Sequence, residues 1–487
     1  MNTFIKISVA SVLMGTTVLL ASCSNLLDVT PRSSASSETA LTTAEGLDAA
    51  LNGIYDRLQS TVLYGRDFLA LSEALSDNAQ ATNKSGRLNN ESRNIAQASF
   101  TNWGTSYLAI NQANLIIGAT ANATFLSDTA QKNRIMGRAY FLRALLYHDL
   151  MRAYAYDPGV EIAQYNRGGV PLVTTGVSGQ DQITFPARAS IADVYKQIYS
   201  DLQTAIPLLS ATNIPAYGSR PAAQVLLSRV ALYNKDYATA VQYATQAIAP
   251  SNPALAVPLL ANSSYISGWR APNHPESLLE IVYTTPENIG VNTSLQTTYT
   301  TLVRSGDRST TGGFGDLVPS TAFLNDLEAE KSSTGAVLDI RRQLYELGTT
   351  GRGPAFIECT KFLGKNGIIN LDNVPAIRIS EAYLNRAEAN AMLGNNTAAL
   401  SDLNTIRTRA GLPASTLTDN TAILTEILRQ RRLEYGFEGH RWFDLKRRGQ
   451  DVVKVQGNVP YTDYRILANI PSSEFATNKN LRQNFGY

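Results

Sequence analysis

Residues 435–448 read YGFEGHRWFDLKRR and gather two acids, a histidine, a tryptophan and a run of bases within fourteen positions. Side chains of these types can supply a general acid–base pair. Their spacing has a simpler explanation. Leu424, Leu428 and Tyr435 are in register on an amphipathic helix that Gly436 and Gly439 interrupt, and Trp442 and Leu445 lie three apart on a second, short helix. Glu434, Glu438 and Asp444 are interleaved with Arg431, Arg432, Arg441 and Lys446. Opposite charges this dense neutralise one another in a packed helix corner. The stretch is therefore expected to be scaffold, with His440 a packing residue.

Chemistry elsewhere in the chain is sparse. His148, His274 and His440 are far apart and none belongs to an H-x-x-H or C-x-x-C pattern, so no His/Cys metal site is expected. There is no P-loop, no G-x-G-x-x-G opening a helix and no G-x-S-x-G elbow. The 40 acidic residues permit carboxylate pairs whose separation is not legible in sequence, so a glycosidase stays open as an alternative. No cofactor is indicated. A formal charge of +2 over 487 residues gives no reason to expect nucleic-acid binding.

The elements that must position any site are mostly helical. Ile135, Ala139, Leu142, Leu146 and Leu150 form one apolar stripe. Ser190 with Asp193 reads as a capping box before Ile191, Val194, Ile198, Leu202 and Ala205, a run that Pro207 is expected to end. Segments 222–248 and 379–411 resemble each other: a helix of small and apolar residues, a polar turn (NKDY, LGNN), and a second helix. Small residues such as Ala231, Ala240, Ala387 and Ala398 would let the antiparallel helices approach closely. This is tetratricopeptide logic, although the W-x2-L-G signature is absent and the copies are not in tandem. The expected fold is mainly α, a tetratricopeptide-like scaffold concentrated in 130–250 and 376–450. Irregular stretches at about 60–104 and 251–320, rich in Gly, Pro, Ser, Thr and Asn, are expected to be loops carrying recognition, with short β-like runs such as LLEIVYTT.

The N-terminus, MNTFIKISVASVLMGTTVLLASCSN, has an apolar stretch from Ile7 to Leu20, shorter than the roughly 20 residues a membrane-spanning helix needs. It has the form of an export signal over 1–22. Leu20-Ala21-Ser22-Cys23 resembles a bacterial lipobox, which implies lipidation of Cys23 and a flexible tether over 23–38. The body, 39–487, would then be anchored and not spanning. The only other cysteine, Cys359, would have no disulfide partner.

RRLEYGFEGHRWFDLKRRG closely resembles the C-terminal signature of the SusD/RagB family of Bacteroidetes surface lipoproteins. Further landmarks follow in the family's order: GRAYFLRALLYHDLMRAYA (137–155), GGVPLV (168–173), RASIADVYKQIYSDLQTAI (188–206), IRISEAYLNRAEANAMLG (377–394) and IPSSEFATNKNLRQNFGY (470–487). The resemblance implies a non-enzymatic binding protein of the outer membrane, facing the exterior. It would capture an oligosaccharide, or a peptide, and pass it to a SusC-type TonB-dependent transporter. A protein that only assembles with other proteins, and a lipid-anchored glycoside hydrolase, are the alternatives.

No ligand motif matches, so ligand residues are expected from residue type and position. Sugar sites use flat aromatic faces flanked by hydrogen-bonding groups. Trp269, Tyr265 and Arg270 lie together in the long irregular segment, Tyr299 and Arg304 further along it. Arg66 and Asn78 lie in the N-terminal irregular segment and Trp103 starts a helix. Asp77, beside Asn78, is expected to brace a turn.

Overall fold

The computed structural model describes residues 41–487. The export signal, Cys23 and the tether lie outside the described residues. Eleven principal helices frame the chain: α1 (Ala44–Leu58), α2 (Asp67–Leu75), α3 (Trp103–Ala121), α4 (Thr129–Tyr154), α5 (Ile191–Leu208), α6 (Arg220–Tyr233), α7 (Tyr237–Ile248), α8 (Ile379–Met392), α9 (Asn396–Arg409), α10 (Asn420–Glu434) and α11 (Arg441–Arg447). The fold is mainly α with a few two-stranded sheets.

Helix starts follow side-chain capping. Thr43, Asp128, Ser190, Asp236 and Asp419 each accept a backbone N–H in the first turn of α1, α4, α5, α7 and α10. Pro207 sits inside the last turn of α5, which ends one residue later at Leu208. Helix α4 is the centre of the body. Its five-residue stripe is fully buried, and so is every residue from Phe141 to Tyr154. Charges on its remaining faces are matched internally: Arg143 grips Asp201 of α5 through two bonds of 2.8 and 2.6 Å.

The two similar segments are neighbours in space although distant in sequence. Helix α6 packs on α7, α8 on α9, and α8 packs on both α6 and α7. Ala231, Ala240 and Ala389 are fully buried at this junction, and Ala387 and Ala399 are buried between α8, α9 and α10. Ala398 faces solvent, so the close-approach position on α9 is one residue later than the spacing implies.

The chain between the two segments leaves and re-enters through one ladder. Strand β2 (Ser277–Ile281), within the LLEIVYTT run, pairs antiparallel with β8 (Val374–Arg378), and α8 begins at the next residue. The excursion holds β3 (Leu302–Arg304), β4 (Asp307–Thr311), β5 (Leu317–Pro319), β6 (Tyr345–Leu347) and β7 (Ile357–Cys359). Strand β5 pairs with β1 (Ala79–Ala81), which joins the two irregular segments in the register Ala79↔Pro319 to Ala81↔Leu317.

One expectation needs correction. The irregular N-terminal segment contains α2, whose residues Phe68–Leu75 are all buried. A helix buried on every face, its polar residues Ser72 and Glu73 included, lacks the amphipathic period that marks helices in sequence.

Candidate ligand cleft

Beside the β1–β5 ladder, the start of α2, the turn at 86–91 and residues 298 and 316 line a cavity of about 330 Å³. That is the lower end of the range typical of small-molecule sites. Arg66, Asp67, Arg87, Glu91 and Asp316 line it together with Thr298. Arg66 donates to Asp67 (2.7 Å), and Arg87 donates through Nε to Asp316 (3.0 Å). Both arginines also reach the Asn292 carbonyl, so two guanidiniums converge on one acceptor.

A buried carboxylate holds this arrangement in place. Lys84 donates to Glu358 Oε1 (3.1 Å), while Oε2 accepts from Thr300 Oγ1 (3.0 Å), Thr301 N (2.6 Å) and Thr301 Oγ1 (2.7 Å). Gly315 and Gly348 lie against the same carboxylate. A Cβ on Gly348 would fall 2.1 Å from it, so only glycine allows that approach. Glu358 thus ties the loop at 84 to the loops at 300, 315 and 348.

The expected ligand residues divide sharply. Arg66 lines the cavity, and Arg304 is exposed at the end of β3. Arg270 is turned inward, donating to the backbone carbonyl and hydroxyl of Thr360. Trp269 is 8% exposed and enclosed by Lys361 (4.8 Å to the ring centroid), Arg378 (5.5 Å), His274 (4.6 Å) and Phe362 (6.0 Å). Its ring has no face left for a sugar. Tyr265 is fully buried under the Arg409 guanidinium, and Tyr299 fully buried against Phe437. Trp103 packs on Tyr107 and Tyr154. Asn78 is fully buried, donating to Glu73 and accepting from Arg432 (both 2.8 Å). Burial withdraws these five from the ligand surface, because an aromatic or amide that satisfies the core cannot also face solvent. Asp77 braces the scaffold through Arg441 (2.6 Å). Arg87, Glu91 and Asp316 were missed by sequence reasoning; they carry no local pattern and meet only through the β1–β5 ladder.

The stretch at 435–448 is scaffold. Arg378 donates to Glu276, Glu434 and Glu438 at 2.8–2.9 Å, and Lys361 donates to Glu438 (2.6 Å). Burial pushes the Glu434 carboxyl up, but Arg409, Arg378 and Arg341 outweigh it and hold the group well below the usual carboxylate range. Arg431 and Arg447 both donate to Asp444, and Arg447 also grips Glu388. His440 stacks on Tyr435 at 4.5 Å. All three histidines are driven well below their ordinary pKa, by burial first and then by nearby arginines, and so are neutral. Among the described residues, no group of three or more His, Cys, Asp or Glu is arranged to hold a metal ion. Nor is any helix among them long and apolar enough to cross a membrane. Cys359 is buried, its thiol pushed up to about 12 by burial.

A family profile described as SusD family matches residues 356–487, and one described as starch-binding associating with outer membrane matches 25–232. Over these two ranges the chain resembles the SusD family. Among SusD relatives, the SusD-like protein P38 of Formosa agariphila is 25% identical over 523 residues, covering 100% of both chains. A SusD-like protein of Bacteroides ovatus is 25% identical over 91% of this chain and 83% of its own. A solved SusD superfamily protein from Bacteroides thetaiotaomicron shares 28% identity and a TM-score of 0.79, covering 91% of this chain and 99% of its own. Another from Bacteroides vulgatus has 26% identity and a TM-score of 0.80 over the same shares. Between them the two profile matches take in α1 to α6 and α8 to α11. One wall of the cleft, with Thr298 and Asp316, lies between the two matched ranges.

Proposed function

We propose that this chain is a cell-surface binding protein that captures an oligosaccharide in the cleft and hands it to a TonB-dependent transporter of the outer membrane. The cavity at the junction of the two irregular segments carries the reading. It presents guanidinium donors (Arg66, Arg87) and carboxylate acceptors (Asp67, Glu91, Asp316) at hydrogen-bonding separations, a mixture suited to vicinal hydroxyls. The family description as starch-binding and associated with the outer membrane supports it. Lipidation at Cys23 supplies the anchor, the helices the docking surface, and the transporter the pore. The protein itself raises local ligand concentration and gates entry without turnover.

Calorimetry against oligosaccharide and peptide panels tests the capture step, and affinity purification from membranes tests the partner. Saturable oligosaccharide binding and recovery of a large outer-membrane barrel are expected. Binding to peptides alone would move the ligand class. Release of reducing ends, abolished by one carboxylate substitution in the cleft, would replace this reading with a hydrolase.

A further inference from the structure

The cleft continues past its cavity onto a rim of arginines. Phe314 is flanked by the Arg87 guanidinium, 4.3 Å from the ring centroid, and the Arg352 guanidinium, at 4.2 Å. Arg87 faces the cavity, so Arg352 stands one ring beyond it. The loop carrying Arg352 is fixed against strand β4: Thr349 and Thr311 share a hydroxyl hydrogen bond of 2.6 Å, and Arg308 donates through Nε to the Gly348 carbonyl (2.9 Å). Arg304, paired in register with Asp307, lies on the opposite face of the β3–β4 hairpin from Arg308 and, after the Ser309 bonds, helps hold the Asp307 carboxyl below its usual range.

The charges on this rim are unequally matched. Among the described residues, Arg308 and Arg352 are in no ion pair, and Arg352 donates no hydrogen bond. The nearby acids are occupied. Asp307 accepts from Ser309 N (2.9 Å) and Oγ (2.5 Å), and Glu346 accepts from Ser305 Oγ and Gly306 N (both 2.7 Å). Inside the cavity, in contrast, Arg66 and Arg87 are neutralised by Asp67 and Asp316. A guanidinium resting on an aromatic face keeps its in-plane donors outward, the geometry that grips a carboxylate or sulfate with two parallel bonds.

We propose that Arg308 and Arg352 form an oxyanion-binding rim of the cleft, and that the captured oligosaccharide carries carboxylate or sulfate groups. This rests on the carbohydrate reading above and narrows it: hydroxyls bind in the cavity, where both guanidiniums are already paired, while acidic substituents meet the rim.

Calorimetry on the full chain with matched probes tests it: oligogalacturonate against its methyl ester, sulfated against desulfated galactan oligosaccharides, and glucuronoxylan against xylan oligosaccharides. The acidic member of at least one pair is expected to bind tenfold or more tighter than its neutral partner, with that advantage shrinking between 50 and 500 mM salt. The pair that responds separates carboxylate from sulfate. Arg308→Gln with Arg352→Gln, both at exposed positions, should bring the acidic probe down to the affinity of its neutral partner. Equal binding within every pair, or a double variant that keeps the preference, overturns the proposal while leaving carbohydrate capture standing. If no saccharide of either kind binds, the carbohydrate reading falls and the rim falls with it.

Discussion

Lys84 and Glu358, 274 positions apart in sequence, form an ion pair of 3.1 Å with side chains only 3% and 0% exposed. The pair joins the N-terminal irregular segment to β7, and the same carboxylate holds Thr300 and Thr301. Removing one member of a buried pair strands the other, at a cost of about 3–5 kcal/mol. Glu358→Ala should lower the unfolding free energy by about that much in urea titrations, because it frees Lys84 and three other donors. Lys84→Met should cost less, since Glu358 keeps its threonine bonds. A loss under about 1 kcal/mol for Glu358→Ala would mean the carboxylate does not organise the cleft.

Arg66→Ala removes a cavity-lining donor whose side chain is part-exposed and whose carboxylate partner can turn to water. Oligosaccharide affinity should fall about tenfold, roughly the loss of one charge-assisted hydrogen bond, with the melting temperature nearly unmoved. Undiminished affinity would place the ligand elsewhere.

Trp269→Ala should behave in the opposite way. Its ring is enclosed by Lys361, His274 and Phe362, so truncation leaves a void and unstacks a cation, at about 3–5 kcal/mol. Calorimetry on whatever fraction stays folded should show unchanged affinity. A stable variant that had lost ligand binding would return Trp269 to the ligand surface.

The buried acid Glu73 gives a pH dependence of defined sign. It is fully buried with no ion pair, and burial raises its carboxyl to about 7, against the partial relief of bonds from Asn78 and Gly439. The folded state therefore holds a proton that the unfolded chain releases near 4.5. This contribution is fully present below about 4.5 and is lost as pH rises towards 7. Glu73→Gln removes the titrating group but turns one accepting oxygen into a donor, so it carries a cost at every pH. Its stability relative to the parent should improve by on the order of 3 kcal/mol between pH 4 and pH 8. Denaturant titrations at the two pH values check this; equal effects at both would mean the carboxyl is not the titrating group.

Helices whose buried faces recur at helical spacing were readable before any coordinates. The stripe from Ile135 to Leu150 and the Ser190 cap are where periodicity puts them. The charged corner at 435–448 was likewise recognisable as scaffold, because its acids and bases are interleaved at helical spacing. What could not be read is whatever long-range pairing decides. Trp269 sits among loop residues in the sequence, yet it is buried because Lys361 and Arg378, about a hundred residues away, close over it. Arg87 and Asp316 look unremarkable until the β1–β5 ladder brings them together. Helix α2 was hidden for a different reason: from Phe68 to Leu75 it is buried on all sides, so no solvent-facing stripe marks its period.

Ile281 and Val374 are partners in the β2–β8 ladder, so the excursion between them starts and finishes at neighbouring points. Lengthening, shortening or replacing that stretch alters closure entropy only slowly with its size, about 0.6 kcal/mol per doubling. Its length can therefore drift at little thermodynamic cost, provided the anchors that moor it to the rest of the chain are kept: Tyr299 on Phe437, Glu358 on Lys84 and Lys361 on Glu438.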